Sequence, residues 1–185
     1  MKIIHSVLAL LLAIAAITGF VLLSDPAPNA AGMAHDSIQG MSVGGDGTAR
    51  LAPIGLAPYY FQVCVILLVG VMLYMGIAAH RRTGVVKLGL AAITLLALLV
   101  WSELYASYLS FLKTGETEII FGFPVATNWM LWGVWLSMVA FTLFYVIGFR
   151  HFILPKEDEE AFEALVAEMQ AEKIQEKPTQ TARGA

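Results

Sequence analysis

Residues 88–112 form a run of 25 residues that carries one formal charge, Glu103. A stretch that long and that apolar satisfies the length a helix needs to cross a hydrocarbon layer of about 30 Å. Three further apolar runs, at residues 3–23, 57–79 and 125–149, meet the same requirement. They are apolar all round and lack the short alternating segments of a membrane barrel, so the expected fold is all-α, a polytopic membrane protein of four transmembrane helices. The composition agrees: 58% of the 185 residues are hydrophobic and 14% charged, well short of the charge a soluble domain carries.

The basic residues set the expected orientation. Lys2, the trio Arg81, Arg82 and Lys87, then Arg150 and Lys156 fall on one side if every run crosses, and only Arg50 and Lys113 fall on the other. The positive-inside rule puts both termini and the 80–87 hairpin in the cytoplasm of a bacterial inner membrane. Residues 24–56 and 113–124 then face outward. The first run also carries features of a signal peptide, since Lys2 precedes it and the small-residue stretch 28–31 follows it. Its length is nearer twenty residues than the 7–15 of a signal core, which favours an uncleaved helix.

Four regions follow: a first transmembrane helix at 1–23, a flexible outer loop at 24–56, a three-helix membrane domain at 57–153 and an acidic cytoplasmic tail at 154–185. The loop is rich in Gly, Ala, Pro, Ser and Asp and lacks the apolar content for a core of its own. Tyr59, Tyr60 and Phe61 mark an aromatic interface where the chain re-enters the membrane. In the tail, acidic residues 157–160 suit the first turn of a helix, and Phe162, Leu165, Val166 and Met169 follow as a narrow apolar stripe. That amphipathic helix is expected to give way to disorder after Lys177 and Pro178. Eight of the fourteen acidic residues lie beyond Lys156, which segregates the charge and leaves the spans almost neutral.

Several chemistries are excluded. There is no basic stripe with interleaved aromatics, which argues against nucleic acid as a partner. The lone Cys64 rules out an internal disulfide and reads as a small packing residue. His5, His80 and His151 sit at the ends of apolar runs near the cytoplasmic face, not at membrane depth, which weighs against a haem held within the bundle. Met33, His35, Asp36 and Met41 contain copper-type ligands, but two methionines and one histidine over nine residues read as solvated loop. No nucleophile–base pair, phosphate loop or metal cluster is visible, so the chain is expected to be neither an enzyme nor a carrier of a cofactor.

Glu103 stands out because a carboxylate within a membrane helix normally faces protein or a polar cavity. It lies about two thirds of the way across from the basic hairpin. Ser107 and Ser110 share its face, while Trp101, Tyr105 and Tyr108 form another. Two roles compete: an ion-path contact, or a helix-docking hydrogen bond with Tyr59, Tyr60 or Asn128 as in-chain partners. The docking role is favoured, because no basic or second acidic group lies within the spans. Ala15 with Gly19 and Gly133 with Ser137 give small-residue spacings suited to close helix approach. Ahead of the last helix, Phe121, Gly122, Phe123 and Pro124 form an interfacial turn, with Gly122 free to take an unusual backbone angle and Pro124 suited to helix initiation.

A helix with a central Trp101, a short outer loop, the Phe121–Gly122–Phe123–Pro124 turn and a final helix bearing Trp129 and Tyr145 resembles the small accessory subunits of sodium/solute symporters. The resemblance covers residues 88–160; the family's frequent Gln-Gly pair reads Leu131-Trp132-Gly133 here, and two further helices precede the matching region. It implies that a larger permease subunit carries the substrate and sodium sites. The expected function is therefore a non-catalytic accessory subunit of a larger inner-membrane complex, with a cation-coupled transporter favoured. The alternatives are a small subunit or assembly factor of a respiratory or redox complex, and a self-contained oligomeric transporter using Glu103. Its partners would be the larger membrane subunit and the lipid bilayer.

Overall fold

In a computed structural model, residues 3–27 and 32–181 are described, with side chains through residue 171. Lys2 and the small-residue stretch 28–31 lie outside the described residues. Four helices are long and apolar enough to cross a membrane: α1 (Ile3–Leu23), α3 (Ala57–Gly76), α4 (Gly84–Thr114) and α5 (Val125–Ile153). A short helix α2 (Gly47–Leu51) precedes α3, and a tail helix α6 (Lys156–Thr181) follows α5. The only strands among the described residues are two minimal antiparallel hairpins, β1 (Met33–Ala34) with β2 (Ser42–Val43) and β3 (Ile119–Ile120) with β4 (Phe123–Pro124).

These four long helices pack in chain order, α1 on α3, α3 on α4 and α4 on α5. The core comes from the last three, through Ile66 and Ile77, Val86, Leu90 and Ala97, and Phe141 and Phe152. Helix α1 contributes no buried residue and lies along the outside of α3. Small residues let the core helices approach. A Cβ on Gly70 would meet Thr94 Oγ1 at 2.6 Å, and one on Gly133 would meet Val100 Cγ1 at 2.7 Å. Close backbone approach of this kind supplies the van der Waals contact that holds apolar helices together where lipid is as apolar as the partner. Of the two small-residue pairs in the sequence, Gly133 serves the α4 contact and Ser137 is buried, whereas a Cβ on Gly19 would meet nothing within 4 Å.

Local chemistry explains where the helices end, and it moves the sequence-based boundaries. Helix α3 stops at Gly76, short of residue 79, because Ile77 turns extended and inserts into the core at 1% exposure. Arg82 then caps the helix: its Nε donates to the Ile77 carbonyl (2.9 Å) and its Nη2 to that of Met75 (3.2 Å). Its guanidinium also lies 5.0 Å from the centre of the Tyr74 ring. A cation at the negative end of a helix satisfies orphan carbonyls and complements the dipole. Arg82, one of the basic residues that set the expected orientation, is thus also a helix cap.

Helix α4 begins four residues before residue 88, where the Thr83 hydroxyl accepts the Val86 N–H (3.4 Å), and ends at the left-handed Gly115. Helix α5 contains two wider π-type stretches, Trp129–Val134 and Phe149–Ile153, the first of which includes the Gly133 contact with α4. Helix α6 continues past Lys177 and Pro178 to Thr181, although disorder is the expectation after Pro178. The 24–56 segment holds hairpin β1–β2 and α2, the latter capped by Asp46, whose carboxylate accepts the Thr48 N–H (3.0 Å).

Candidate functional site

Successive residues of a helix are 100° apart, and at positions 101–105 of α4 that rotation separates two environments. Trp101, Ser102 and Tyr105 face Tyr59 of α3. The Trp101 indole N–H donates to the Tyr59 carbonyl (3.2 Å), and the Tyr105 hydroxyl reaches the Gly55 carbonyl (3.5 Å). The Ser102 hydroxyl donates its one proton to the Leu98 carbonyl (2.8 Å), so it is the acceptor in its 3.0 Å contact with the Tyr59 hydroxyl. The Tyr59 ring stacks on Trp101 with centroids 6.5 Å apart and tilts against Tyr105 at 5.2 Å. Every polar tip in this cluster has a partner in the chain.

Glu103 lies on the opposite side, exposed among Leu95, Leu96, Leu99 and Ala106. Its carboxylate has no hydrogen bond or ion pair with any described residue. The expected bond to Tyr59, Tyr60 or Asn128 is therefore corrected. Tyr59 is committed to Ser102, Tyr60 is exposed, and Asn128 donates to the carbonyls of the 119–124 turn. Ser107 and Ser110 do share the Glu103 side of α4, with Ser110 exposed and Ser107 partly so. The Ser107 hydroxyl donates to the Glu103 backbone carbonyl (2.7 Å), so it satisfies the helix and leaves the carboxylate alone.

The 119–124 turn is a two-residue hairpin, and both its central residues have positive φ, Phe121 at 51° and Gly122 at 80°. That pair is the signature of a type I′ turn, which matches the twist of the strands it joins. Gly122 adopts its angle freely, whereas Phe121 is strained there and holds its ring 85% exposed. Pro124 sits at the N-cap of α5. Asn128 fastens the turn from below, its amide N–H groups reaching the Ile120 (2.7 Å) and Phe123 (2.9 Å) carbonyls. An apolar groove of about 610 Å³ opens beside it, lined by Ile120, Phe121, Val125, Trp129, Trp132 and Leu136. The sequence pointed to Gly122 but missed Asn128 as the fastener. An Asn within the first turns of an apolar helix, beside a Gly-containing turn, is the signal that was available.

The other end of the bundle is held by ion pairs that no local spacing reveals. Arg81 donates to the Ile153 carbonyl (3.0 Å) and pairs with Asp158, and Arg150 pairs with Glu159. These contacts tie the α3–α4 hairpin and the end of α5 to the first turn of α6. Tyr145 of α5 adds a hydroxyl bond to the Leu73 carbonyl. In the 24–56 segment, Met33 and Met41 are exposed and His35 Nδ1 accepts the Ser37 N–H (3.2 Å). Among the described residues, no group of three or more His, Cys, Asp or Glu side chains is disposed to hold a metal ion.

What the arrangement offers chemically is an acceptor. An open carboxylate on an apolar helix face can take an ion pair or hydrogen bonds from a donor that no described residue supplies. Comparison with known proteins adds no relative: no protein-family model, no curated protein and no solved structure matches this chain.

Proposed function

We propose that this chain is a non-catalytic accessory subunit of a larger inner-membrane complex, with a cation-coupled solute transporter as the favoured case. Its four long helices cross the bilayer with both termini in the cytoplasm, as the Arg81, Arg82, Lys87 and Arg150 side of the bundle favours. The observation that carries the reading is Glu103, a carboxylate with no partner among the described residues, amid exposed leucines on α4. A charged side chain at the centre of a spanning helix costs about 2.5–3.5 kcal/mol on insertion scales, and such groups ordinarily face protein or water. In this chain the neighbouring face of α4 is already filled by α3 and α5. The donor that meets Glu103 then belongs to another subunit. The Phe121–Gly122–Phe123–Pro124 turn, with its exposed ring and adjoining groove, adds a second contact of the same kind.

The test is purification of the tagged chain from its native membrane in mild detergent. A many-helix permease should come with it in fixed proportion, and Glu103→Ala or Gly122→Val should reduce that yield. Undiminished assembly of both variants would sink the proposal. Haem or copper absorption bands in the purified complex would turn it toward a redox assembly instead.

A further inference from the structure

The tail helix presents an apolar stripe that no described residue covers. Phe162, Leu165 and Met169 are exposed, Phe162 at 64%, and Val166 completes the i, i+3, i+4, i+7 row. Its root is fixed. Asp158 and Glu159 in the first turn pair with Arg81 and Arg150, and Arg81, only 15% exposed, also holds the Ile153 carbonyl at the end of α5. At 100° per residue, Glu163 and Glu168 lie on either side of the stripe, each about 60° from its nearest member. The face is thus an apolar centre with an acidic border.

Three occupants compete for it. A helix that lies on a membrane carries Lys and Arg on its flanks and gains from an anionic leaflet. Residues 156–171 instead hold Lys156 against six acidic residues, so such a surface repels them. A second copy of the helix would bring two acidic borders together, and the stripe covers about two turns, short of the three to four heptads a coiled coil needs. A protein surface with an apolar groove and a Lys/Arg rim meets both the stripe and its border.

We infer that the Phe162–Leu165–Met169 stripe seats in such a basic-rimmed groove on the cytoplasmic face of the larger subunit. This rests on the accessory-subunit reading above. The ion pairs at the root pre-orient the helix, and Glu163 and Glu168 select a basic rim.

The test places a photo-crosslinking residue at Leu165 of the full chain in its native membrane. The expected adduct is with the larger subunit that co-purifies, at a peptide rich in Lys and Arg. Adding Met169→Glu should lower the adduct at least about tenfold, as loss of an apolar anchor does. Adding Glu163→Lys with Glu168→Lys should lower it several-fold, with co-purification through Glu103 retained. An adduct on lipid or on a second copy of this chain overturns the inference, as does a yield that ignores these substitutions. If the wild-type chain brings down no larger subunit, the accessory reading falls and this inference with it. If the subunit co-purifies but Leu165 does not reach it, this inference alone falls.

Discussion

Ser102 and Glu103 are neighbours in sequence and opposites in surroundings. Ser102 is bonded on both sides, to Leu98 within its own helix and to Tyr59 across the interface with α3. Glu103, one residue and 100° further round, faces away from the bundle with no partner among the described residues. The weaker polar group is fully satisfied and the stronger one is left open. The internal face of α4 is therefore complete as it stands, and the external face becomes complete only when something else arrives. A polar residue in an apolar helix tells little by its identity alone; the side of the helix it occupies decides whether it closes a fold or opens a contact.

The largest expected effect breaks the closed face. Trp101→Ala removes a ring stacked on Tyr59 together with the indole bond to the Tyr59 carbonyl. The loss should be about 3 kcal/mol, near the low end for Trp→Ala because Trp101 is only partly buried and detergent and lipid are themselves apolar. Denaturant titration of the purified chain in micelles would measure it, and a loss under about 1 kcal/mol would show the face is less closed than the contacts imply.

Next comes Asn128→Ala, which strips the 119–124 turn of its donors to Ile120 and Phe123. A cost of about 2 kcal/mol is expected from losing two side-chain hydrogen bonds at about 1 kcal/mol each. Proteolysis at the turn should accelerate in the same variant, and unchanged susceptibility would mean the hairpin holds without its fastener.

Tyr59→Phe removes one interhelical hydroxyl bond, worth about 0.6–2 kcal/mol in a membrane bundle. Combined with Ser102→Ala in a double-mutant cycle, most of that energy should appear as coupling, since the two groups share one bond. Additive losses would separate them.

The smallest effect on stability belongs to the open face. Glu103→Gln should leave the isolated chain within about 0.5 kcal/mol of wild type, because no described residue meets the carboxylate. A marked destabilisation of the isolated chain would erase the contrast between the two faces. The same variant should instead show its effect in assembly, by co-purification yield.

Much of the architecture was readable from residue order. The four apolar runs became four helices of spanning length, the Gly-Phe-Pro turn became a tight hairpin, and the tail became a helix. Those features depend on local length and apolarity, which the chain carries on its surface. The face shared by Glu103, Ser107 and Ser110 was readable too, since helical spacing alone sets it. The partners were not. The Arg81–Asp158 pair joins residues far apart along the chain, and Arg82 turned back on α3 once Ile77 left the helix. Such contacts follow from which helices become neighbours, and no local spacing contains that information.

Glu103 shows the division clearly. The sequence determined that a carboxylate sits inside a long apolar helix, because hydropathy and helical rise are properties of the segment itself. Its direction was decided by packing. Gly70 beneath Thr94 and Gly133 beneath Val100 fix which sides of α4 are taken by α3 and α5, and the rotation per residue leaves Glu103 on the side that neither helix covers.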